Sequence, residues 1–298
     1  MTAVQTFSEA PFIPAAALAD FSLPELLPRP GAPIHLDLGT GLGHFLEAMA
    51  RRHPDANWIG LEIDGAILKR AVRRIRRAGC DNVLLLSLEA RAFLLESVPP
   101  GALAHIWLNF PDPWPKKKHA RRRHAHPWML GLLVSRLQVG GELHLATDVP
   151  AYMAEMTAGL KAIEAMLPVS DTPWRRESLG VETKYERKWQ QQGRPLHYAD
   201  WRKTSFDAPT AYPFERQPNP RFRIAALPPR GFYGQGRYGL KVFAPRRSTP
   251  HQTGFVLVDR QTGIATPGLM DTATGNIRLN GVWTPWKIAL FRALLDGG

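Results

Sequence analysis

Apolar positions along this chain follow two alternating rhythms. The run Ile34–Leu38 is short, almost wholly apolar and closed by glycines, which predicts a buried parallel strand. Phe45, Leu46, Met49 and Ala50 then recur at helical spacing until Pro54. The pattern repeats with a strand over Trp58–Ile63 and a helix over about Gly65–Ala78. In that helix Ile67, Ala71, Val72 and Ile75 oppose Lys69, Arg70, Arg73, Arg74, Arg76 and Arg77, and the basic stripe reads as a solvated face. Val83–Leu88 reads as a third strand, followed by a short helix through Phe93 and Leu95, and Ile106–Phe110 as a fourth. A helix through Met129, Leu132, Leu133 and Leu137 is expected to stop at Gly140-Gly141, before a fifth strand over Glu142–Ala146 and a helix over Ala151–Leu167. Strands alternating with helices at this spacing predict an α/β fold, a doubly wound Rossmann-like sheet with right-handed crossovers.

The two ends differ from this middle. Residues 1–33 hold six prolines and no sustained period, and read as an irregular arm with one short helix. Pro-rich composition over 205–220 reads as a linker closing a domain at 34–204. Beyond it, Phe222–Ala226, Leu240–Phe243 and Phe255–Asp259 look like strands between Gly- and Pro-rich turns. A helix over Lys287–Leu295 follows, so 221–298 is expected to be a β-rich extension.

Composition sharpens this outline. The 298 residues are 44% hydrophobic and 21% charged, as in soluble globular chains. Thirty-eight Lys and Arg against 26 Asp and Glu leave +12. That fits a polyanionic partner or a basic solubilising surface, and charge alone does not separate the two. From Ser205 onward 12 basic and 5 acidic residues contribute 12 − 5 = +7 of that excess. The single cysteine, Cys80, excludes an internal disulfide and a cysteine-built zinc site, and no metal is expected. No apolar run reaches the roughly 20 residues of a membrane span. The segment before Arg29 lacks the basic start of a signal peptide, so a cytoplasmic protein is expected.

Candidate chemistry begins at Asp37-Leu38-Gly39-Thr40-Gly41-Leu42-Gly43, between the first strand and its helix. Glycines permit a tight turn whose N–H groups face a ligand. Such a loop fits a dinucleotide or S-adenosylmethionine. The dinucleotide fingerprint wants a third glycine where His44 stands, whereas Gly39, Gly41 and Gly43 after the acidic Asp37 suit a ligand with an α-amino group and a sulfonium. Glu62, ending the second strand, is placed to accept from ribose hydroxyls with either cofactor.

The fourth strand ends in Asn109-Phe110-Pro111-Asp112-Pro113-Trp114-Pro115, three prolines in five residues, stiff enough to hold a carboxylate against a reacting atom. Lys116, Lys117, Lys118, His119, Arg121, Arg122, Arg123 and His124 follow at the expected active-site face, where phosphate contact is expected.

At these residues the chain closely resembles the bacterial tRNA (guanine-N7)-methyltransferase family, over about residues 34–204. The resemblance takes in the glycine loop, Glu62-Ile63-Asp64, Phe110-Pro111-Asp112-Pro113-Trp114, His144-Leu145-Ala146-Thr147-Asp148 and Thr183-Lys184-Tyr185-Glu186. It implies an S-adenosylmethionine-dependent enzyme that methylates N7 of a guanine in tRNA, in the family guanine 46 of the variable loop. Asp37, Glu62, Glu89 and Asp112 would line the cofactor site. Lys116, Asp148, Thr183, Lys184, Tyr185 and Glu186 would match substrate-binding positions, and Lys118 to Arg123 an RNA-contacting stretch. Asp112 would stabilise charge moving toward the purine, Asp148 and Glu186 would accept from the guanine edge, and Trp114 or Tyr185 would either stack or pack. The chain departs from the family with Asp37 in place of Glu, Glu89 in place of Asp, and its extension beyond residue 205. A non-catalytic RNA-binding protein on this fold, or a methyltransferase for a small molecule or protein, are the rival readings. The sequence leaves monomer or homodimer open.

Overall fold

The computed structural model describes residues 11–13, 15, 17–112, 124–172, 174, 184–205, 227, 229–234, 236–244, 251–282 and 284–296. Contacts divide the chain into two compact units. One comprises residues 1–13, 24–87 and 98–213, the other 14–23, 88–97 and 214–298.

In the first unit the strands are β1 (Phe12–Ile13), β2 (Ile34–Leu38), β3 (Asn57–Leu61), β4 (Val83–Leu86), β5 (Leu103–Asn109), β6 (Leu137–Thr147), β7 (Met166–Pro168) and β8 (His197–Lys203). They form one sheet in the order β1-β4-β3-β2-β5-β6-β8-β7, parallel from β1 to β6 and antiparallel at β8 and β7. Every residue of β3 and β4 is buried, which is why Trp58–Leu61 and Val83–Leu86 read as unbroken apolar runs. A Cβ on Gly60 of β3 would lie 2.7 Å from methyl groups of Leu46 and Leu85, so a larger residue there has to displace both side chains. Helix α3 (His44–Arg52) follows β2, and α4 (Gly65–Ala78) follows β3. Asp64 caps α4 by accepting from the N–H groups of Ala66 and Ile67, and left-handed Gly79 ends it. Ala71 and Ile75 turn inward to Trp58 and Trp107, as the period predicts, while Leu68 rather than Ile67 is the buried residue of the first turn and Val72 is half-buried. The chain turns back across the sheet between β2 and β5, the switch point where such sheets open a ligand crevice.

Several expectations need correction. The arm supplies β1, which pairs with β4, and two short helices, α1 (Ala17–Asp20) and α2 (Leu23–Leu26). Gly140-Gly141 do not stop a helix. Helix α6 (Pro127–Arg136) ends earlier, and the glycines lie inside β6, where its register with β5 shifts. Gly140 has φ +82°, and a Cβ on Gly141 would lie 2.8 Å from the Ala104 carbonyl, so this bulge requires glycine. The helix expected to Leu167 stops at Lys161 in α7 (Pro150–Lys161), and the chain turns into β7.

The second unit contains α1 and α5 (Ala90–Ser97) with β9 (Gly231–Tyr233), β10 (Tyr238–Val242), β11 (Gln252–Asp259), β12 (Ile264–Asp271), β13 (Ile277–Leu279) and α9 (Pro285–Asp296). The strands make an antiparallel meander, β13-β12-β11-β10-β9. Strict alternation in β11 and β12 sends Phe255, Leu257 and Met270 into a core shared with Leu240, Leu279 and Phe291 of α9. The expected strand at Phe222–Ala226 and the linker from residue 206 lie outside the described residues.

Candidate active site

The loop after β2 is built by three left-handed glycines, Gly39, Gly41 and Gly43, at φ +75°, +56° and +76°. Glu62, just beyond β3, braces this loop: its carboxylate accepts from the N–H of Gly41 at 3.1 Å and from the N–H of Asp64 at 2.9 Å. A small cavity opens between this loop and the end of β5, lined by Asp37, Thr40, Gly41, Phe45, Asn109 and Phe110 among others.

Asp37 sits at the base of the cavity, 2% exposed. Its Oδ2, the Thr40 hydroxyl and the Asn109 amide nitrogen are buried together and reach no partner outside this trio. Burial pushes the Asp37 pKa up to about 6, opposed by Thr40 and Asn109 and assisted by Glu62. Unsatisfied buried polar atoms are costly, and three around one cavity suit a ligand that is cationic and hydrogen-bonding. The α-amino group and ribose of S-adenosylmethionine fit that donor set.

Phe110 closes β5 with φ +51°, the one positive-φ residue other than glycine among the described residues. Its N–H donates to the Ala146 carbonyl at 2.8 Å, and its side chain packs against the cluster of Ala146, Leu196 and Tyr198, as does that of Trp189. That fixed and unfavourable turn aims the following Pro111-Asp112, and Asp112 is exposed. Asp148, just after β6, accepts from Arg194 at 2.9 Å. Asp37, Glu62, Asp112 and Asp148 thus all lie at or near the carboxyl ends of parallel strands, on the crevice side.

Helix α8 (Lys184–Gln191) begins inside the Thr-Lys-Tyr-Glu segment. Lys184 and Tyr185 contribute to its backbone, and Glu186 is buried, its carboxylate accepting from the Tyr198 hydroxyl on β8. Thr183, Trp114, Lys116, Lys117, Lys118, His119, Arg121, Arg122 and Arg123 lie outside the described residues. Glu89 falls in the second unit, where it caps α5 by accepting from the Ala92 N–H at 3.1 Å and pairs with Arg91 at 2.7 Å.

Sequence reasoning missed two features. The partner of Asp148, Arg194, carries no motif of its own. A row of imidazoles also crosses the sheet: His35 stacks on His105, whose Nδ1 lies 2.9 Å from His144 Nε2, and His144 Nδ1 lies 2.8 Å from Asp200. Alternation of histidine with apolar residues in three strands was its only signal. Arg70, Arg73, Arg76 and Arg77 of α4 are exposed as expected, whereas Arg74 is half-buried and donates to Glu47 of α3 at 3.0 Å; Arg70, Arg73, Arg74 and Arg77 also line a cleft with Arg51 of α3.

Comparison with known proteins places the chain in a family. The family described as "Putative methyltransferase" matches residues 31–199. A tRNA (guanine-N(7)-)-methyltransferase of Bacillus subtilis is 32% identical over 174 residues, 57% of this chain and 81% of that protein. One of Rhodospirillum rubrum is 36% identical over 181 residues, 60% and 71% respectively. One of Thermus thermophilus is 37% identical over 195 residues, 63% of this chain and 59% of the relative. No helix among the described residues is long and apolar enough to cross a membrane.

Proposed function

The chain belongs to the tRNA (guanine-N7)-methyltransferase family, and from that premise we propose how its first unit methylates N7 of a guanine in tRNA. The observation that carries the reading is Asp37, a carboxylate buried with Thr40 and Asn109 beneath a glycine loop, in the same crevice as the Asp112 turn. S-adenosylmethionine, when bound, supplies a methyl group on a positively charged sulfur.

Asp37, Thr40 and Asn109 bind the polar end of that cofactor, and the Gly39, Gly41 and Gly43 backbone lets it approach closely. Glu62, already turned toward the loop, offers its carboxylate to ribose hydroxyls. Guanine N7 presents a lone pair, so no side chain has to remove a proton before transfer. The work left to the protein is alignment and charge stabilisation. Asp112, held by the Phe110 turn, faces the positive charge that develops on the purine. Asp148, oriented by Arg194, accepts from the Watson–Crick edge of the guanine. Glu186 holds α8 to β8 through Tyr198, and so positions the Thr183-Lys184-Tyr185 segment for the substrate. Lys116 through Arg123 contact RNA phosphates. By resemblance the target is guanine 46, and the enzyme acts in the cytoplasm, where tRNA is found.

The test is methyl transfer from labelled S-adenosylmethionine to unmodified tRNA, followed by nucleoside analysis. The reading requires 7-methylguanosine. Retention of tRNA with no methylated nucleoside would replace it with a binding-only role.

A further inference from the structure

We infer that the open face of the second unit's sheet is a platform for single-stranded RNA, on which two bases stack against Phe232 and Phe243. This goes beyond the methyl-transfer reading, since it concerns the unit that the family match at 31–199 leaves untouched apart from residues 88–97.

The meander has two unlike faces. Leu240, Val242, Phe255, Leu257, Met270 and Leu279 point into the core with α9. The opposite face carries Phe232, Phe243 and Leu269, which are 50%, 41% and 46% exposed. Large apolar side chains this exposed usually mark a binding surface when they gather on one face. Here strand pairing gathers them. Phe232 of β9 lies opposite Lys241 of β10, Phe243 follows Lys241 by two residues, and Gly254, Leu269 and Arg278 continue the Phe243 row across β11, β12 and β13.

Both rings rest on glycine. A Cβ on Gly239 would lie 2.5 Å from the Phe232 ring, and one on Gly254 would lie 3.7 Å from the Phe243 ring. Each phenyl therefore leans onto bare backbone. The rings lean apart, Phe232 over Gly239 of β10 and Phe243 over Gly254 of β11, and Gly254 lies about 13 Å along β11 from Val258, the partner of Gly239, a span that roughly two nucleotide steps of an extended strand bridge.

The charges select the occupant. Arg260 sits over the Phe232 ring at 4.8 Å while donating to the Gly236 carbonyl, and the Lys241 ammonium lies 5.3 Å from the Phe243 ring. Arg278 adds a third cation on the same side. The sheet's carboxylates do not oppose them: Asp259 is buried against Arg237, and Asp271 is tied to the N–H groups of Ala273 and Thr274 in its own turn. Aromatics interleaved with cations on an open antiparallel sheet match a polyanion with flat rings, which is single-stranded nucleic acid. An acidic peptide would use the cations but leave the two phenyl rings without a partner.

The experiment uses the full chain and a fluorescein-labelled twelve-residue oligouridine without cofactor, so its outcome does not depend on methyl transfer. Phe232→Ala and Phe243→Ala should each weaken binding about 5-fold or more, as base stacking contributes. Phe232→Trp and Phe243→Trp should retain affinity, which separates stacking from folding. Lys241→Gln with Arg278→Gln should lower the salt slope by about 1.4. Cross-links from a 4-thiouridine version should map to the peptides holding Phe232 and Phe243. The inference is overturned if the double alanine variant binds within twofold of the parent, if cross-links map only to residues 34–204, or if polyglutamate displaces the RNA equally well.

Discussion

Lys287 donates to Glu96 at 2.7 Å with both side chains enclosed, although 191 residues separate them along the chain. Burial lowers the Lys287 pKa and raises that of Glu96, and each charge pulls the other back. Lys287 also donates to the Val282 carbonyl. Removing one partner strands the other, so Lys287→Met should destabilise the second unit by about 3–5 kcal/mol. The double variant Lys287→Met with Glu96→Leu should recover most of that loss. Urea unfolding followed by the fluorescence of Trp286, beside Lys287, reads both.

Asp37 links cofactor binding to pH. Folded, its carboxyl keeps a proton up to about pH 6, whereas unfolded it releases one near 3.8. The folded state therefore binds more protons between those values, and the stability this contributes falls as pH rises through 6. Asp37→Asn should make the cofactor-free protein more stable at pH 8, by up to about 3 kcal/mol, with little gain at pH 4. The same variant should bind S-adenosylmethionine about 10- to 100-fold more weakly, as expected for losing a charged hydrogen bond. A gain in affinity would remove Asp37 from the site.

The histidine row acts in the opposite sense. Burial, with repulsion from neighbouring imidazoles, lowers His35 to about 3 and His105 to about 4 from 6.5. The unfolded chain then binds more protons below pH 6.5, so this contribution to stability is full above 6.5 and is lost on acidification. Melting temperatures should fall between pH 6.5 and 4, and His35→Asn with His105→Asn should flatten that fall.

Asp112→Ala should lower kcat by about 10²- to 10³-fold, the scale of losing one group aimed at developing charge. Single-turnover methyl transfer to saturating tRNA measures this. Full turnover in that variant would end the role proposed for Asp112.

The parallel core could be read from the sequence because strands buried on both faces leave unbroken apolar runs, as in Trp58–Leu61 and Val83–Leu86. Strand β8 escaped because His197-Tyr198-Ala199-Asp200-Trp201-Arg202-Lys203 mixes both kinds of residue without a clean period. Pro267-Gly268 similarly disguised β12, although the alternation around them holds. At the site, Asp37 and Asp112 announced themselves by their turns. Arg194 did not, because its pairing with Asp148 is set by tertiary structure across 46 residues. The helix through Phe93 was legible as a helix, but apolar spacing says only that a face is buried. It does not say against what, and α5 packs on β12 of the second unit.

That membership has a temporal consequence. Ser97 leaves the ribosome 296 − 97 = 199 residues before Asp296, the end of α9. At roughly 5–20 residues per second, α5 exists for about 10–40 s before the meander and its closing helix are complete. During synthesis Phe93 and Leu94, fully buried in the finished molecule, therefore spend that interval without the strands and helix made last. A nascent chain stalled inside the last third is the species most exposed to chaperones and to aggregation, however well its first unit has folded.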